Sequence, residues 1–272
     1  MISAALHLLF LGGLVAAGLM AVLWLLHMPM RNAAIVDFGW GFALPTLAIL
    51  YAAFGPGYAP RKWLLAAMAA VWGYRLAFYL LLTRILGHPE EGRYVQLRKD
   101  WKTRLPLKFL VFFQFQALLD LFLSLPFLLA ALNPRPQLAA LEFGGAGIWL
   151  IAFAGEALAD AQLHAFKSNP GNKGKTCRAG LWNYSRHPNY FFEWLIWVAY
   201  AAYALASPYG YIALACPALM LLFLFKVTGI PATEQQALRS RGEEYRRYQQ
   251  TTSVFVPWFP KREPISLEQM VR

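Results

Sequence analysis

Charged residues are scarce in this 272-residue sequence: Asp, Glu, Lys and Arg make up 14%, whereas 58% of the residues are hydrophobic. A soluble domain has about 25% charged residues, so this composition excludes an ordinary soluble domain. Seven apolar stretches approach the ~20 residues that a helix needs to cross a bilayer. They are residues 4–26, 34–54, 63–83, 109–132, 145–164, 190–206 and 211–225. Backbone groups in lipid must be hydrogen-bonded within the segment, so we predict an all-α integral membrane protein with seven transmembrane helices.

Other features are missing as well. The two cysteines, Cys177 and Cys216, are too few and too differently placed for a metal site or a disulfide framework, so no metal is expected. No P-loop or dinucleotide Gly-x-Gly-x-x-Gly pattern is present. No internal repeat is visible, which argues against repeat-built transporters, and no nucleic-acid-binding module accompanies the basic residues. The first apolar stretch has neither a basic start nor a cleavage site, so we expect it to be helix one rather than a signal peptide.

Basic residues are in excess, and they are unevenly distributed. Of the 25 lysines and arginines, 21 lie at Arg31 and in residues 84–108, 167–186 and 226–272. These segments alternate with the remaining connections, so the positive-inside bias places the N-terminus outside and the C-terminus in the cytoplasm. The same charges attract anionic lipid, and they also suit a cytoplasmic site for a polyanionic ligand.

Polar residues interrupt predicted helices two and three. Asp37 lies inside an apolar span, where a carboxylate costs roughly 3 kcal/mol on insertion scales and therefore needs a partner or a cavity. Trp40 follows it between two glycines, and helix three carries Trp72 and Arg75 on one face. Arg75 is the natural partner for Asp37 or for a later carboxylate. A buried ion pair that fixes helix packing and a substrate pocket both remain open.

Residues 84–108 predict a short amphipathic helix on the membrane surface, with an aromatic edge. Its arginines Arg93 and Arg98 are also within possible reach of a phosphate. Predicted helix five is more informative, because Glu156, Asp160 and His164 follow at i, i+4 and i+8. Two carboxylates so close to lipid indicate a wet cavity or nearby hydrogen-bond donors.

The connection between predicted helices five and six combines three glycines with Lys173, Lys175 and Arg178. Backbone N–H groups and cations together are suited to holding phosphates. The stretch Gly180-Leu-Trp-Asn-Tyr-Ser-Arg-His-Pro-Asn-Tyr-Phe-Phe-Glu193 follows directly. It places several polar side chains at the start of an apolar helix, with Asn189 and Glu193 on one face, so we expect it to bind a ligand.

The sequence resembles a known family in these motifs. Glu156-Ala-Leu-Ala-Asp160, Asn169-Pro-Gly-Asn-Lys173, the stretch 180–193, and Lys226-Val-Thr-Gly-Ile-Pro231 with Glu234 are similar to the bacterial branch of the steroid 5α-reductase family. The resemblance covers residues 145–260. It extends more faintly to Asp37-Phe-Gly-Trp-Gly41 and Trp72-Gly-Tyr-Arg75. Sterol reductases and isoprenylcysteine carboxyl methyltransferases share the Arg-His-Pro-x-Tyr core.

The resemblance implies a multi-pass enzyme of the bacterial inner membrane that uses NADPH to reduce a carbon–carbon double bond conjugated to a ketone. The lipophilic substrate would be a 3-oxo-Δ4 steroid or a related enone, and we infer no obligate protein partner. The whole chain, 1–272, is expected to form one membrane domain. Residues 1–132 would shape the substrate pocket and residues 145–260 would bind the cofactor.

The family's cofactor positions fall on Glu156, Asp160, Lys167, Asn189, Glu193, Lys226 and Glu234. Six further residues of the same segments are assigned to the cofactor: Asn172, Lys175, Tyr184, Arg186, His187 and Tyr190. Reduction of an enone builds negative charge on the carbonyl oxygen, which a hydrogen-bond donor stabilises. A protonated Asp37 or the hydroxyl of Tyr74 is the candidate donor. Asp37, Trp40, Trp72 and Arg75 are expected to line the substrate pocket.

Two other functions are compatible with parts of the sequence. An S-adenosylmethionine-dependent membrane methyltransferase of the isoprenylcysteine type would use the Arg-His-Pro-Asn-Tyr stretch but would need fewer phosphate-binding cations. A transporter would need buried charges along a path through the bilayer, whereas most of these charges gather on helices five to seven. The paired acids of helix five and the basic loop after it favour the larger, phosphate-bearing cofactor.

Overall fold

A computed structural model describes residues 2–227 and 229–261, and helices joined by short irregular connections make up this part of the chain. Its eleven α-helices are α1 (Ile2–Met30), α2 (Ile35–Phe54), α3 (Ala59–Leu80), α4 (Gly92–Trp101), α5 (Leu105–Leu123), α6 (Leu125–Leu132), α7 (Ala140–Ser168), α8 (Pro188–Ala204), α9 (Ala215–Leu222), α10 (Ile230–Arg241) and α11 (Glu243–Thr251). Within these residues there is no β-strand, and one isolated bridge joins Ser185 to Ser253. The predicted all-α class is confirmed.

Six segments of the described residues are long and apolar enough to cross a membrane. They are Ile2–Met30, Ile35–Phe54, Ala59–Ile85, Leu105–Leu132, Ala140–Ser168 and Gly210–Arg241. The predicted span at residues 190–206 corresponds to α8, which is 17 residues long and is not among the six. Six such segments in the described part of the chain indicate a multi-pass membrane protein.

The chain divides into two compact units. The first comprises Met1–Ala146 and Tyr200–Cys216, and the second comprises Gly147–Ala199 and Pro217–Arg272. The second unit contains most of the residues that the sequence assigns to the cofactor, and the first contains the candidate substrate residues.

Glycines allow close helix packing in the first unit. A Cβ on Gly73 of α3 would lie 2.8 Å from Cδ of Pro45, so only glycine permits this contact with α2. Gly12 of α1 similarly makes room for the ring of Tyr51, whose hydroxyl lies 3.2 Å from Oγ of Ser124. Small residues are the usual means of close helix packing in membranes, where no hydrophobic force joins helices.

One predicted helix is interrupted. The span expected at residues 109–132 consists of α5 and α6, which meet at Ser124. Pro126 is in the first turn of α6, where its missing N–H breaks no hydrogen bond. In the interior of a continuous helix, a proline would remove one backbone hydrogen bond. The break explains why Ser124 is available to Tyr51.

Arg61, in the first turn of α3, is a buried cation. The structure encloses it fully, with 0% exposure. It pairs with Glu142, also 0% exposed, and Nη1 donates to the carbonyl oxygens of Asn133 at 3.1 Å and Arg135 at 2.7 Å. The arginine therefore joins α3 to the start of α7 rather than facing water.

In the second unit α7 and α8 touch at a glycine. A Cβ on Gly155 would lie 2.6 Å from Cγ of Phe192, so the two helices are in direct contact at these residues. Farther along the chain, Leu224, Ile230 and Phe255 form a small buried apolar cluster. This cluster fixes the start of α10 and the segment that follows α11.

Candidate functional site

The segment that leads into α8 is anchored on α7. Nε1 of the buried Trp182 donates to the carbonyl oxygen of Ala159 at 2.9 Å, and the backbone N–H of Leu181 donates to Oε1 of Gln162 at 2.9 Å. Gly180 has φ = +57°, and a Cβ there would clash with the Gln162 amide. Glycine is therefore required at this turn, and the turn sets the position of the residues that follow.

Arg186 is the centre of a network in the second unit. Nε donates to Oε1 of Glu234 at 2.6 Å, and Nη1 donates to the carbonyl oxygens of Gln249 at 2.9 Å and Thr252 at 2.7 Å. The two charged side chains are 10% and 15% exposed. Arginine suits this position because its planar fork can satisfy several acceptors at once. It ties the start of α8 to α10 and α11.

Glu234 accepts hydrogen bonds from several side chains besides Arg186. Nε2 of Gln249 donates to Oε2 at 2.9 Å, and Nε2 of the buried His187 lies 3.3 Å from Oε1. The Tyr245 hydroxyl donates to Oε1 at 3.5 Å. Burial, together with the negative charge of Glu234, raises the pKa of Tyr245 to about 12. The tyrosine thus stays protonated at neutral pH.

The chain segment after α11 runs back past the same residues. The Ser185 hydroxyl donates to the carbonyl oxygen of Phe255 at 2.7 Å, and the backbone N–H of Arg186 donates to the carbonyl oxygen of Ser253 at 2.8 Å. The Trp258 N–H donates to the carbonyl oxygen of Tyr184 at 2.9 Å. The segment after α11 therefore binds Tyr184, Ser185 and Arg186, the three residues before His187.

The rings of His187 and Tyr190 are stacked, with centroids 5.3 Å apart and an angle of 5° between the planes. The Tyr190 hydroxyl lies 3.4 Å from Oγ1 of Thr233. The first turn of α8 is thereby connected to the first turn of α10. Asn189 lies between Arg186 and Tyr190 in the sequence, at the start of α8, and is half-buried.

Acidic side chains lie at the contact between α7 and α8. Glu156 directly follows Gly155 and is 3% exposed, and Glu193 directly follows Phe192 and is half-buried. Because Gly155 and Phe192 touch, Glu156 and Glu193 each follow directly on a residue of this contact. Asp160, also half-buried, is one turn farther along α7. Two acids of the predicted stripe are thus on a helix that contacts α8.

The three lysines assigned to the cofactor are at the surface. Lys167, Lys175 and Lys226 are exposed. The Asn172 side chain donates from Nδ2 to the carbonyl oxygen of Phe166 at 2.9 Å, so it shapes the loop after α7. Tyr184 is 39% exposed.

Asp37 has partners that the sequence did not indicate. Arg93 of α4 pairs with its Oδ2, and the Tyr94 hydroxyl donates to Oδ1 at 2.8 Å. Burial lowers the pKa of the Arg93 guanidinium, but the nearby carboxylates of Asp37 and Glu91 raise it, and the net effect is a raised pKa. Burial and the charge of Asp37 raise the pKa of Tyr94. Arg75 was expected to pair with Asp37 or with a later carboxylate; for Asp37, the structure assigns the partner role to the helix predicted to lie on the membrane surface.

The remaining candidate substrate residues lie along the contact between α2 and α3. The rings of Trp40 and the buried Trp72 meet edge-on, 6.0 Å apart. The Tyr74 hydroxyl lies 3.2 Å from Oγ1 of Thr46, and Arg75 is half-buried. The structure thus places these four residues on one pair of helices.

Sequence reasoning missed Gln249 as a partner of Glu234. The signal that could have found it is the spacing of Tyr245, Tyr248 and Gln249, which lie at i, i+3 and i+4 on one face of α11. The tyrosines are 3% and 2% exposed, and that face is buried. A short polar helix with one buried tyrosine face predicts hydrogen bonds to a partner element.

Within residues 2–227 and 229–261, no group of three or more His, Cys, Asp or Glu side chains is placed to hold a metal ion. Comparisons with curated proteins and with solved structures find no match. A family model described as "Protein of unknown function (DUF1295)" matches residues 23–252, which include both groups of candidate residues. Since that match covers most of the sequence, the chain belongs to the DUF1295 family.

Proposed function

We propose that this protein is an NADPH-dependent membrane reductase, which reduces the carbon–carbon double bond of an α,β-unsaturated ketone in a lipophilic substrate. A 3-oxo-Δ4 steroid, converted to its 5α-reduced product, is the leading candidate. The proposal includes seven membrane-spanning helices, with α8 as the sixth, an external N-terminus and a cytoplasmic C-terminus in a bacterial inner membrane. Beside the motif resemblance, the proposal rests on the contact between Gly155 and Phe192 where α7 touches α8, because Glu156 and Glu193 directly follow these two residues in the sequence.

The residues of the second unit fit this cofactor. The carboxylates of Glu156, Asp160 and Glu193 are hydrogen-bond acceptors for an amide NH₂ group and for ribose hydroxyls. They also favour the positive charge of an oxidised nicotinamide ring, since opposite charges attract strongly where water is excluded. The exposed Lys175 and Lys226 supply cations for phosphates. The acidic groups proposed for this cofactor are thus buried or half-buried, and the basic groups are exposed.

NADPH, when bound, supplies the hydride. The protein's contribution is to hold and orient, and the Arg186 network does this by fixing the start of α8, from which Asn189 and Glu193 project. Stabilisation of the carbonyl oxygen requires a donor. Asp37 accepts bonds at both of its oxygens, from Arg93 and Tyr94, so its carboxylate is not suited to donate. The proposal therefore assigns that role to the hydroxyl of Tyr74.

NADPH binding by purified protein tests the cofactor assignment. Asn189→Ala and Glu193→Ala should each abolish measurable binding in a fluorescence titration, while expression and unfolding remain unchanged. Gln236→Ala and Glu243→Ala are the matched controls, because they remove the same two chemical groups from exposed positions of α10 and α11. Normal affinity in both test variants would refute the assignment.

The reaction itself is tested by adding a 3-oxo-Δ4 steroid and following the loss of nicotinamide absorbance. Steroid-dependent oxidation of NADPH, with formation of the 5α-reduced product, is the expected result. Tyr74→Phe should lower the turnover with little effect on NADPH affinity. Retention of S-adenosylmethionine without NADPH oxidation would instead favour the methyltransferase.

A further inference from the structure

Basic residues near α4 fall into two groups. Arg84, Arg93 and Arg98 each pair with a carboxylate, with Arg98 Nε 2.7 Å from Oε2 of Glu90. Four other exposed basic residues have no carboxylate partner among the residues that the structure describes. We call them the cationic rim: Arg31, Lys99, Lys102 and Arg104. The charges of the first group are balanced by neighbouring carboxylates, and those of the rim remain available.

The members of the rim lie at one end of the first unit. Contacts between α1 and α5 follow an antiparallel register, in which Ala17 accepts a bond from Gln114 and His27 packs on Phe109 at 5.2 Å. Continuing this register past the end of α1 brings Arg31 level with the segment just before α5. That segment is residues 102–104, which contain two members of the rim.

Tryptophan side chains fix this end of the helices. Nε1 of Trp24 donates to the carbonyl oxygen of Pro106 at 2.8 Å, which joins α1 to the start of α5. Trp101 packs against Phe109 at 4.9 Å, and its carbonyl oxygen accepts a bond from Nζ of Lys108 at 2.8 Å. Tryptophan is enriched where a transmembrane helix meets the headgroup region.

Three members of the rim share an unusual backbone conformation. Arg31, Lys102 and Arg104 have φ values of +50°, +52° and +53°. A positive φ is unfavourable for residues with a Cβ and is usually taken by glycine or asparagine. Here it occurs at basic residues at the end of α1, at the end of α4 and just before α5.

From this arrangement we infer that the cationic rim is a binding surface for the headgroups of anionic phospholipids. Exposed cations without acidic partners attract a phosphodiester, and flanking tryptophans place them at headgroup depth. The three paired arginines keep α4 in place but contribute little net charge. The inference does not depend on the reaction that the protein catalyses.

The test measures lipid binding to the purified full-length protein by native mass spectrometry, with phosphatidylglycerol and phosphatidylcholine in parallel. Each basic residue near a bilayer surface contributes about fivefold to binding, so the double variant Lys102→Gln/Arg104→Gln should bind phosphatidylglycerol roughly 30-fold more weakly. Binding of phosphatidylcholine should not change. Arg239→Gln/Arg247→Gln is the control, since it removes two exposed charges from α10 and α11.

Equal losses in the test and control variants would show an effect of net charge alone and would overturn the inference. So would unchanged binding in the test variant. Inorganic phosphate that displaces the lipid completely at millimolar concentration would assign the rim to free phosphate instead. If the double variant does not fold, Arg31→Gln and the charge-conserving Lys102→Arg/Arg104→Lys are compared, and only the first should lose affinity.

Discussion

Loss of Glu142 should strongly destabilise the first unit. Arg61 and Glu142 are both 0% exposed, and Nη2 of Arg61 also donates to Oε2 of Glu142 at 3.3 Å. Removing one member of a buried pair leaves the other charge without compensation, which costs about 3–5 kcal/mol. Glu142→Gln keeps an acceptor, and Arg61 keeps its bonds to backbone carbonyls. We therefore expect the lower end of that range, about 3 kcal/mol.

Arg61→Met should cost more, about 5 kcal/mol, because it leaves the Glu142 carboxylate with one remaining donor of those described, the backbone N–H of Ala139 at 2.6 Å. It also removes the donor to the carbonyl oxygen of Arg135, whereas the carbonyl oxygen of Asn133 keeps the backbone N–H of Tyr58 at 3.1 Å. The double variant Arg61→Met/Glu142→Leu removes both charges. It should be more stable than Arg61→Met alone, because no buried charge is left unpaired.

The assay is reversible unfolding in mixed micelles by increasing fraction of sodium dodecyl sulfate, followed by tryptophan fluorescence. Arg246→Met is the control, since its pair with Glu243 is exposed and is worth at most about 0.5 kcal/mol. A Glu142→Gln protein within 1 kcal/mol of the wild type would refute the reasoning. Strict additivity of the two single changes would refute it as well.

Two further predictions concern the second unit. Glu234→Gln weakens a charge-assisted bond to Arg186, which should cost about 2 kcal/mol. Cleavage between α10 and α11 in limited proteolysis should then be roughly 30-fold faster; an unchanged rate would contradict this. Gly155→Ala places a methyl group against the Phe192 ring, and overpacking should cost about 1–3 kcal/mol in the same unfolding assay. Phe192→Leu in that background should recover part of the loss, and no effect of either change would show that α7 and α8 do not pack as described.

The sequence was sufficient for the helical class and for the approximate positions of the apolar segments, because the bilayer imposes length and composition directly. It could not decide whether α8 spans, since 17 residues is at the lower limit of that length criterion. The interruption at Ser124 was also missed. A proline two residues after a serine is compatible with either a kink or a break in the helix, and the choice depends on what packs beside it.

Charge partners were the least predictable feature. Arg61 is near a helix start and resembles an ordinary loop cation, and its partner lies 81 residues later. Asp37 and Arg93 are 56 residues apart, on an apolar helix and a surface helix. Local periodicity carries no information about such pairs, since they depend on the tertiary fold. For the same reason, the contact of α7 with α8 next to Glu156 and Glu193 could be recognised only from the fold. Cofactor binding by these residues remains a prediction.

The network around Arg186 has a consequence for biosynthesis. The acceptors described for this guanidinium lie 48, 63 and 66 residues later in the chain. At about 5–20 residues per second, a ribosome needs roughly 3–13 s to produce them after Arg186 has been made. During that time the arginine has to be solvated by water or lipid phosphate, so α8 can reach its final position only after α10 and α11 have arrived. Insertion of this protein should therefore have a late, post-translational step, which cross-linking of stalled nascent chains can detect.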